Sequence, residues 1–266
     1  MQCEKIIPGA SVVRWDYLTH LSRYIFALPY CSGGKKVLEA GCGAGYGSSL
    51  LANNGSEVTA VDIDQEALEI ARTTYWKPNL KFCQGNVEEL PFDNETFDIV
   101  ISFGVLDHLA DPSKAVAEFA RVLKPGGTVI VSTLNREFVT PHFYHKVFGH
   151  PIDPLHKKEF NYPEFTNLIR LHFCNLKLYG QAHKQKQFWW LKMLVSRISG
   201  SPTSRRVRLL RSAMKHILHS SYNTITYNED KVFEDTDLRN NIRQVESPEE
   251  GNKLLLMLIT ARKRKA

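Results

Sequence analysis

The sequence predicts an α/β fold: a doubly wound, seven-stranded sheet, mostly parallel with an antiparallel last strand, plus a helical insertion. Three observations carry this. Short, almost unbroken apolar runs alternate with amphipathic stretches up to residue 135, the pattern of a parallel sheet covered on both faces. The first apolar run, VLEA, opens into the glycine-rich turn GCGAGYG, and such sheets bind ligands outside the carboxyl ends of their strands where the strand order reverses. Two late apolar segments flank about seventy residues, far longer than a usual connection, which marks an insertion.

Taken in order, Trp15, Leu18, Leu21, Ile25 and Leu28 recur at helical spacing and predict a helix over 13–28. A buried strand follows over 36–40, then the glycine turn and a helix to residue 51. A second strand is predicted over 57–61, and a helix over 65–73 turns Ala67, Leu68, Ile70 and Ala71 inward. A third strand covers 80–83, and FDIVIS makes a fourth over 97–102. Ser113 is placed to N-cap an amphipathic helix over 113–122, which ends at the turn Lys124-Pro125-Gly126-Gly127. β-Branched residues make a fifth strand over 128–132. Strands at 175–180 and 253–262 are expected to pair antiparallel at a sheet edge, with helices over 187–199 and 204–219 between them. The chain thus divides into an N-terminal helical lid (1–34), a cofactor-binding core (35–135), a substrate-side segment (136–173), a basic helical cap (182–252) and the final strand (253–262), all within a single domain.

Bulk properties exclude several classes. With 266 residues, 43% apolar and 23% charged, the chain has an ordinary globular composition. No apolar run is long enough to cross a bilayer, and the first residues have no apolar leader, so a cytoplasmic location is expected. Five scattered cysteines without CxxC spacing argue against a disulfide framework and a zinc site. The charge is uneven. Residues 165–228 contain eleven cations and no acid, so the body is acidic and carries one basic segment.

The glycine turn raises the question of its ligand. Gly41, Gly43 and Gly45 give G-x-G-x-G, with Tyr46 where a dinucleotide fingerprint needs a small residue. Glu39 stands just before the turn. A carboxylate there repels pyrophosphate and suits a ligand carrying ammonium or sulfonium charge. Asp62, about twenty residues on, ends the second strand where a carboxylate accepts from both ribose hydroxyls, a feature that NAD enzymes share. After the third strand, the Asn86 side chain suits an adenine amino group and the Val87 backbone N–H a ring nitrogen.

EAGCGAGYG, AVDIDQEAL, GNVEELPFDNETFDIVIS and EFARVLKPGGTVIVST resemble, in this order, the class I S-adenosylmethionine-dependent methyltransferases, and more narrowly the small-molecule group that includes the ubiquinone and menaquinone methyltransferases. The resemblance covers 35–135 and the last strand. It implies a Rossmann-like fold with S-adenosyl-L-methionine as cofactor. By it, Glu39 holds the methionine amino group through water. Gly41, Cys42, Gly43 and Gly45 admit the cofactor to the backbone. Asp62 and Ile63 border the ribose and adenine, Asn86 and Val87 bind the adenine, and Phe103 lies near the sulfonium. Arg23 pairs with the methionine carboxylate. Members usually have Asp where Asn86 stands, which leaves the strength of adenine binding open; a turn residue making an Asx bond is the alternative reading.

Methyl transfer to a hydroxyl needs a proton acceptor, and His108 follows the fourth strand beside the cleft, where related sugar and quinone enzymes often have histidine. A loop-fixing or packing role for His108 stays open. Asp107 reads first as a helix cap and second as an orienting partner. His142, His145, His150, His156 and Asp153 match no metal spacing, so transfer without a metal is expected. Phe143, Tyr144, Phe148 and His156 are expected to line the acceptor pocket. P-x-H-x-x-E-F at 154–160, with Tyr-Gly-Gln at 179–181, resembles a subgroup associated with polysaccharide, cell-envelope and secondary-metabolite assembly, which points to O-methylation of a sugar, glycan or other hydroxylated metabolite.

The basic aromatic segment 184–215 leaves four readings: a cap binding an anionic or lipid-linked small-molecule acceptor, an interfacial helix on anionic membrane at the inner surface, a nucleic-acid footprint, or a solvated face over a packed one. No N/D-P-P-Y motif follows the fourth strand, so nucleic acid is not expected as a partner. A lipid or quinone acceptor at the membrane surface remains the alternative within the same chemistry. Other classes are an NAD-dependent oxidoreductase, encouraged only by Tyr227-x-x-x-Lys231, and a non-catalytic cofactor-binding protein.

Overall fold

In the computed structural model, residues 14–139, 151, 155–181, 242–245 and 256–264 are described. They form one mixed sheet in the order β3-β2-β1-β4-β5-β8-β6-β7. The strands are β1 (Lys36–Ala40), β2 (Glu57–Asp62), β3 (Leu80–Gln84), β4 (Phe97–Phe103), β5 (Leu123–Leu134), β6 (Phe173–Gln181), β7 (Ile242–Gln244) and β8 (Leu256–Lys263). Strands β1 to β5 are parallel, and β8 runs antiparallel between β5 and β6. This is the expected seven-stranded sheet. The three-residue β7, within the segment assigned to the helical cap, adds an unforeseen edge strand against β6.

The described helices are α1 (Arg14–Cys31), α2 (Tyr46–Asn53), α3 (Gln65–Thr74), α4 (Pro112–Val122), α5 (Arg136–Val139) and α6 (Tyr162–Arg170). Successive strand residues face opposite sides of a sheet, and the burial follows that period. Val37, Ile99, Ile101, Ile130 and Leu258 pack with α1, α2 and α3. Leu38, Val100, Val129, Val131 and Ile259 pack with α4 and α6. Both faces are therefore dry, which is why the strands read as continuous apolar runs.

Three boundaries differ from expectation for local reasons. Helix α1 continues through Pro29 to Cys31 because side chains of the α2–β2 turn satisfy its last carbonyls: Asn54 Nδ2 donates to Leu28 O at 2.9 Å and Ser56 Oγ donates to Cys31 O. Helix α4 is capped by Asp111, not Ser113: the Asp111 side chain accepts from the N–H of Ser113 (3.0 Å) and Lys114 (3.2 Å), with Pro112 at the first helical position. The Lys124–Gly127 segment is not a separate turn but the start of β5, whose pairing with β4 shifts register between Phe97 and Ile99.

The order reverses between β1 and β4, and the loops leaving these two strands meet there. Phe143, Tyr144, Phe148, His142, His145, His150, Asp153, both cap helices, the basic segment 184–215 and Tyr227-x-x-x-Lys231 lie outside the described residues.

Candidate active site

The glycine turn is pinned to β2 on both sides. Gly41 N–H and Cys42 N–H donate to Val61 O at 2.8 and 3.0 Å, and Gly43 N–H donates to Asp62 Oδ2 at 2.7 Å. The other Asp62 oxygen accepts from Asp64 N–H at 2.9 Å. Asp62 thus stays half-buried with its carboxylate fixed at the rim of the turn. Gly41, Gly43 and Gly45 all have left-handed backbones. At Gly43 the reason is visible: a Cβ would meet nothing within 4 Å, so the bare backbone faces open space that a ligand can fill. Cys42 is buried beneath the turn, and burial pushes its thiol well up from the usual range. It packs; it does not face the cleft.

Glu39 is almost completely buried. Its carboxylate accepts from Tyr24 Oη and from Ser48 Oγ, each at 2.5 Å, so it ties α1 and α2 to β1. Burial pushes its acid up to about 7 against the pull of these two hydroxyls. The two oxygens expected to hold a ligand amino group through water are therefore each already engaged by a protein hydroxyl. A cationic ligand above the turn gains from Glu39 only when this acid ionises. Tyr24 was missed in the sequence. Its hydroxyl is held well above the ordinary phenol range, by burial first and the Glu39 charge second, and its ring packs edge-on against Tyr46 and Phe103.

Ile63, beside Asp62, is 60% exposed, an apolar platform at the mouth of the turn. Asn86 is exposed and its Oδ1 accepts from Glu88 N–H at 3.0 Å, so the Asx turn is present; an amide oxygen has a second lone pair for a ligand amine. Val87 is buried behind it. This loop is clamped by α4, a role the sequence did not disclose. Leu90 N–H donates to Glu118 Oε2 at 2.8 Å, and Arg121 donates to the carbonyls of Leu90 (2.9 Å) and Phe92 (2.7 Å). The motif EFARVLKPGG therefore acts on the turn NVEELPF through space.

Phe103 ends β4 as a buried ring. Arg23 is also buried, with its Nη1 3.4 Å from Ser132 Oγ and its Nε 3.4 Å from Thr19 O. No carboxylate lies in ion-pair contact with it among the described residues; burial lowers its hold on the proton, against the pull of the Asp107 charge. The guanidinium ends beneath the tips of β4 and β5, next to Gly104 and within electrostatic reach of Tyr46 at the end of the glycine turn.

Across the cleft, the short helical turn Leu106–His108 presents His108, half-buried, with Nδ1 3.2 Å from Leu155 O. Asp107 is not a cap. Its carboxylate is buried, with Oδ2 3.6 Å from His156 Nε2, while its backbone carbonyl accepts from Lys157 N–H at 2.7 Å and Lys158 N–H at 3.1 Å. His156 is buried rather than lining a pocket, and its Nδ1 lies 3.2 Å from Glu159 Oε1. The His108 and His156 rings pack edge to face at 5.1 Å. The motif at 154–160 now has a geometry: His156 meets Asp107, Glu159 meets His156, and Phe160 plugs the core while bridging Asn135. Sequence spacing hid this cluster because its members come from two loops brought together only by β4 and the segment ahead of α6.

With this geometry in place, comparison with known proteins is informative. Residues 38–131 match the family model described as "Methyltransferase domain". A Mycobacterium tuberculosis protein described as a "Probable S-adenosylmethionine-dependent methyltransferase" is 36% identical over 181 residues, which span 68% of this chain and 63% of that relative's length. An Alkalilimnicola ehrlichii protein named "Ubiquinone biosynthesis O-methyltransferase" is 42% identical over 106 residues, 39% of this chain and 43% of its own length. A solved Thermotoga maritima structure, described as a SAM-dependent methyltransferase and possible histamine N-methyltransferase, superposes with a TM-score of 0.59 at 18% identity, covering 94% of each chain, and so shares the fold.

Proposed function

We propose, from the match of residues 38–131 to a methyltransferase-domain family model, that the protein is an S-adenosylmethionine-dependent methyltransferase acting on a hydroxyl of a small molecule. One observation carries the reading: the Asp62 carboxylate is fixed at the rim of a glycine turn whose bare face at Gly43 is open, with the buried Glu39 acid behind it. This environment repels a pyrophosphate and receives a cationic nucleoside. When bound, S-adenosylmethionine supplies an electrophilic methyl on a sulfonium that leaves as a neutral thioether in an in-line displacement.

The residues divide the work by position. Asp62 accepts from the ribose hydroxyls, with its carboxylate already oriented by Gly43 and Asp64. Ile63 and the loop at Asn86 and Val87 border the base. Arg23, with no ion pair among the described residues, offers its guanidinium to a carboxylate, and Phe103 and Tyr24 wall the space between the two sides. His108, across the cleft at the end of β4, meets the acceptor hydroxyl. Much of the rate then comes from holding donor and acceptor in line.

For the acceptor we propose a sugar, glycan or similar hydroxylated metabolite, supported by the buried His156–Glu159–Phe160 arrangement that makes sense of the motif at 154–160. A second reading, a quinone or lipid acceptor at a membrane surface, is favoured by the relative named for ubiquinone biosynthesis. No described helix is long and apolar enough to cross a membrane.

The test is thermal stabilisation by S-adenosylhomocysteine against NAD, since a ligand of the native state raises the melting temperature. S-adenosylhomocysteine is expected to stabilise the chain, and Asp62→Ala to abolish the shift. Stabilisation by NAD alone would falsify the reading. Transfer of labelled methyl to a panel of sugars, quinones and lipids then identifies the acceptor.

A further inference from the structure

We infer that Asp107, His108 and His156 form a binding site for one divalent transition-metal cation at the acceptor side of the cleft. The three side chains place one donor atom each within 4.8 Å of one another, on two loops tied together by the Lys157 and Lys158 N–H groups at the Asp107 carbonyl. Two imidazoles and one carboxylate form a ligand set suited to Zn²⁺, Fe²⁺ or Mn²⁺.

Three observations point to an ion and not merely to a packed cluster. Asp107 is 2% exposed, and among the described residues its Oδ1 has no hydrogen-bond partner; the buried Arg23 guanidinium feels its charge but makes no contact with it. A buried carboxylate oxygen without a donor is expensive unless a cation satisfies it. Next, the 3.6 Å between Asp107 Oδ2 and His156 Nε2 is close to the separation of two ligands that share an ion at about 2.0–2.2 Å each. Finally, both rings have the outer partners that metal-bound histidines use. The Leu155 carbonyl faces His108 Nδ1, and the Glu159 carboxylate faces His156 Nδ1. Such contacts fix which nitrogen keeps its proton and aim the other inward.

This inference rests on the proposed function for its role and on geometry alone for its existence. An ion here lies beside the open end of β4, where the acceptor hydroxyl is placed. It would hold that oxygen and weaken its O–H bond, the proton passing to water. His108 then acts by holding the ion instead of taking the proton itself, which revises the expectation of transfer without a metal.

The experiment uses the full chain, stripped with chelator and titrated calorimetrically with Zn²⁺, Mn²⁺ and Mg²⁺. One equivalent of Zn²⁺ or Mn²⁺ is expected to bind, with Mg²⁺ far weaker. Asp107→Asn, His108→Ala and His156→Ala should each weaken binding at least tenfold. S-adenosylhomocysteine binding, measured in the same samples, reports whether each variant is folded. The half-exposed His108 serves if the buried variants fail to fold. A Co²⁺-loaded sample should show d–d absorption without a thiolate band. Absence of metal binding in a chain that binds S-adenosylhomocysteine overturns the inference, as does binding undiminished in every folded variant. Metal binding in a chain that ignores S-adenosylhomocysteine supports the site and sinks the methyltransferase reading.

Discussion

Glu39 shows how a single residue can couple ligand binding to pH. Its acid is raised from 4.5 to about 7 by burial. The folded state therefore holds a proton that the unfolded chain has released between these values, and stability falls as pH rises through that window. A shift of this size corresponds to an upper bound of about 3 kcal/mol. Glu39→Gln removes the titration, so relative to the unsubstituted chain it should gain stability from about pH 5 to about pH 8, as read by denaturant unfolding. Ligand binding runs the other way. A cationic ligand favours the ionised acid, so S-adenosylmethionine affinity should increase across neutral pH with release of a proton, and this dependence should vanish in Glu39→Gln. Calorimetry in buffers of different ionisation heat counts that proton. The sequence placed Glu39 correctly before the turn. It did not reveal the two hydroxyls that occupy it, because Tyr24 and Ser48 reach it from separate helices.

Helix pairing explains the fourth glycine of the turn. Gly47 is inside α2, and a Cβ there would overlap the Tyr24 ring of α1. The small residue lets α1 approach closely enough for Tyr24 to reach Glu39. Gly47→Ala should therefore destabilise the fold by about 1–3 kcal/mol, the usual cost of overpacking, and weaken S-adenosylhomocysteine binding as Tyr24 is displaced. Equilibrium unfolding and a binding isotherm check both effects; unchanged values in both would remove α1 from the site. Along the chain, Gly47 looks like one more turn residue, since only the packed helices distinguish a loop glycine from a contact glycine. The core elements β1 to β4 and α3 were legible within a residue or two because burial on both faces imposes long apolar runs and strict periods. The cap of α4 was misread by two residues because Asp111 and Ser113 are both good caps, and only Asp111 accepts from the exposed helix amides.

At the scale of the molecule, β8 joins the parallel strands of the sheet to β6 and β7. It pairs with β5 from Thr128↔Arg262 to Leu134↔Leu256 and with β6 along its other edge. Met257, Leu258, Ile259 and Ala261 are all buried. Removing the chain from residue 256 onward should leave β5 and β6 unbridged and abolish cooperative thermal unfolding; a truncated chain with a sharp transition would contradict this. The antiparallel pairing of the two late strands was readable from their composition. Their order beside β5 was not, because nothing local encodes which neighbour a strand chooses across a long insertion. That order has a consequence during synthesis. The ribosome finishes β5 well before it reaches β8, and at about 5–20 residues per second the gap lasts on the order of ten seconds. For that time a nearly finished sheet presents the long, apolar, unpaired edge of β5 to the cell. The strand that protects it emerges only after that interval, so chaperone demand and aggregation should peak in nascent chains stalled just short of β8.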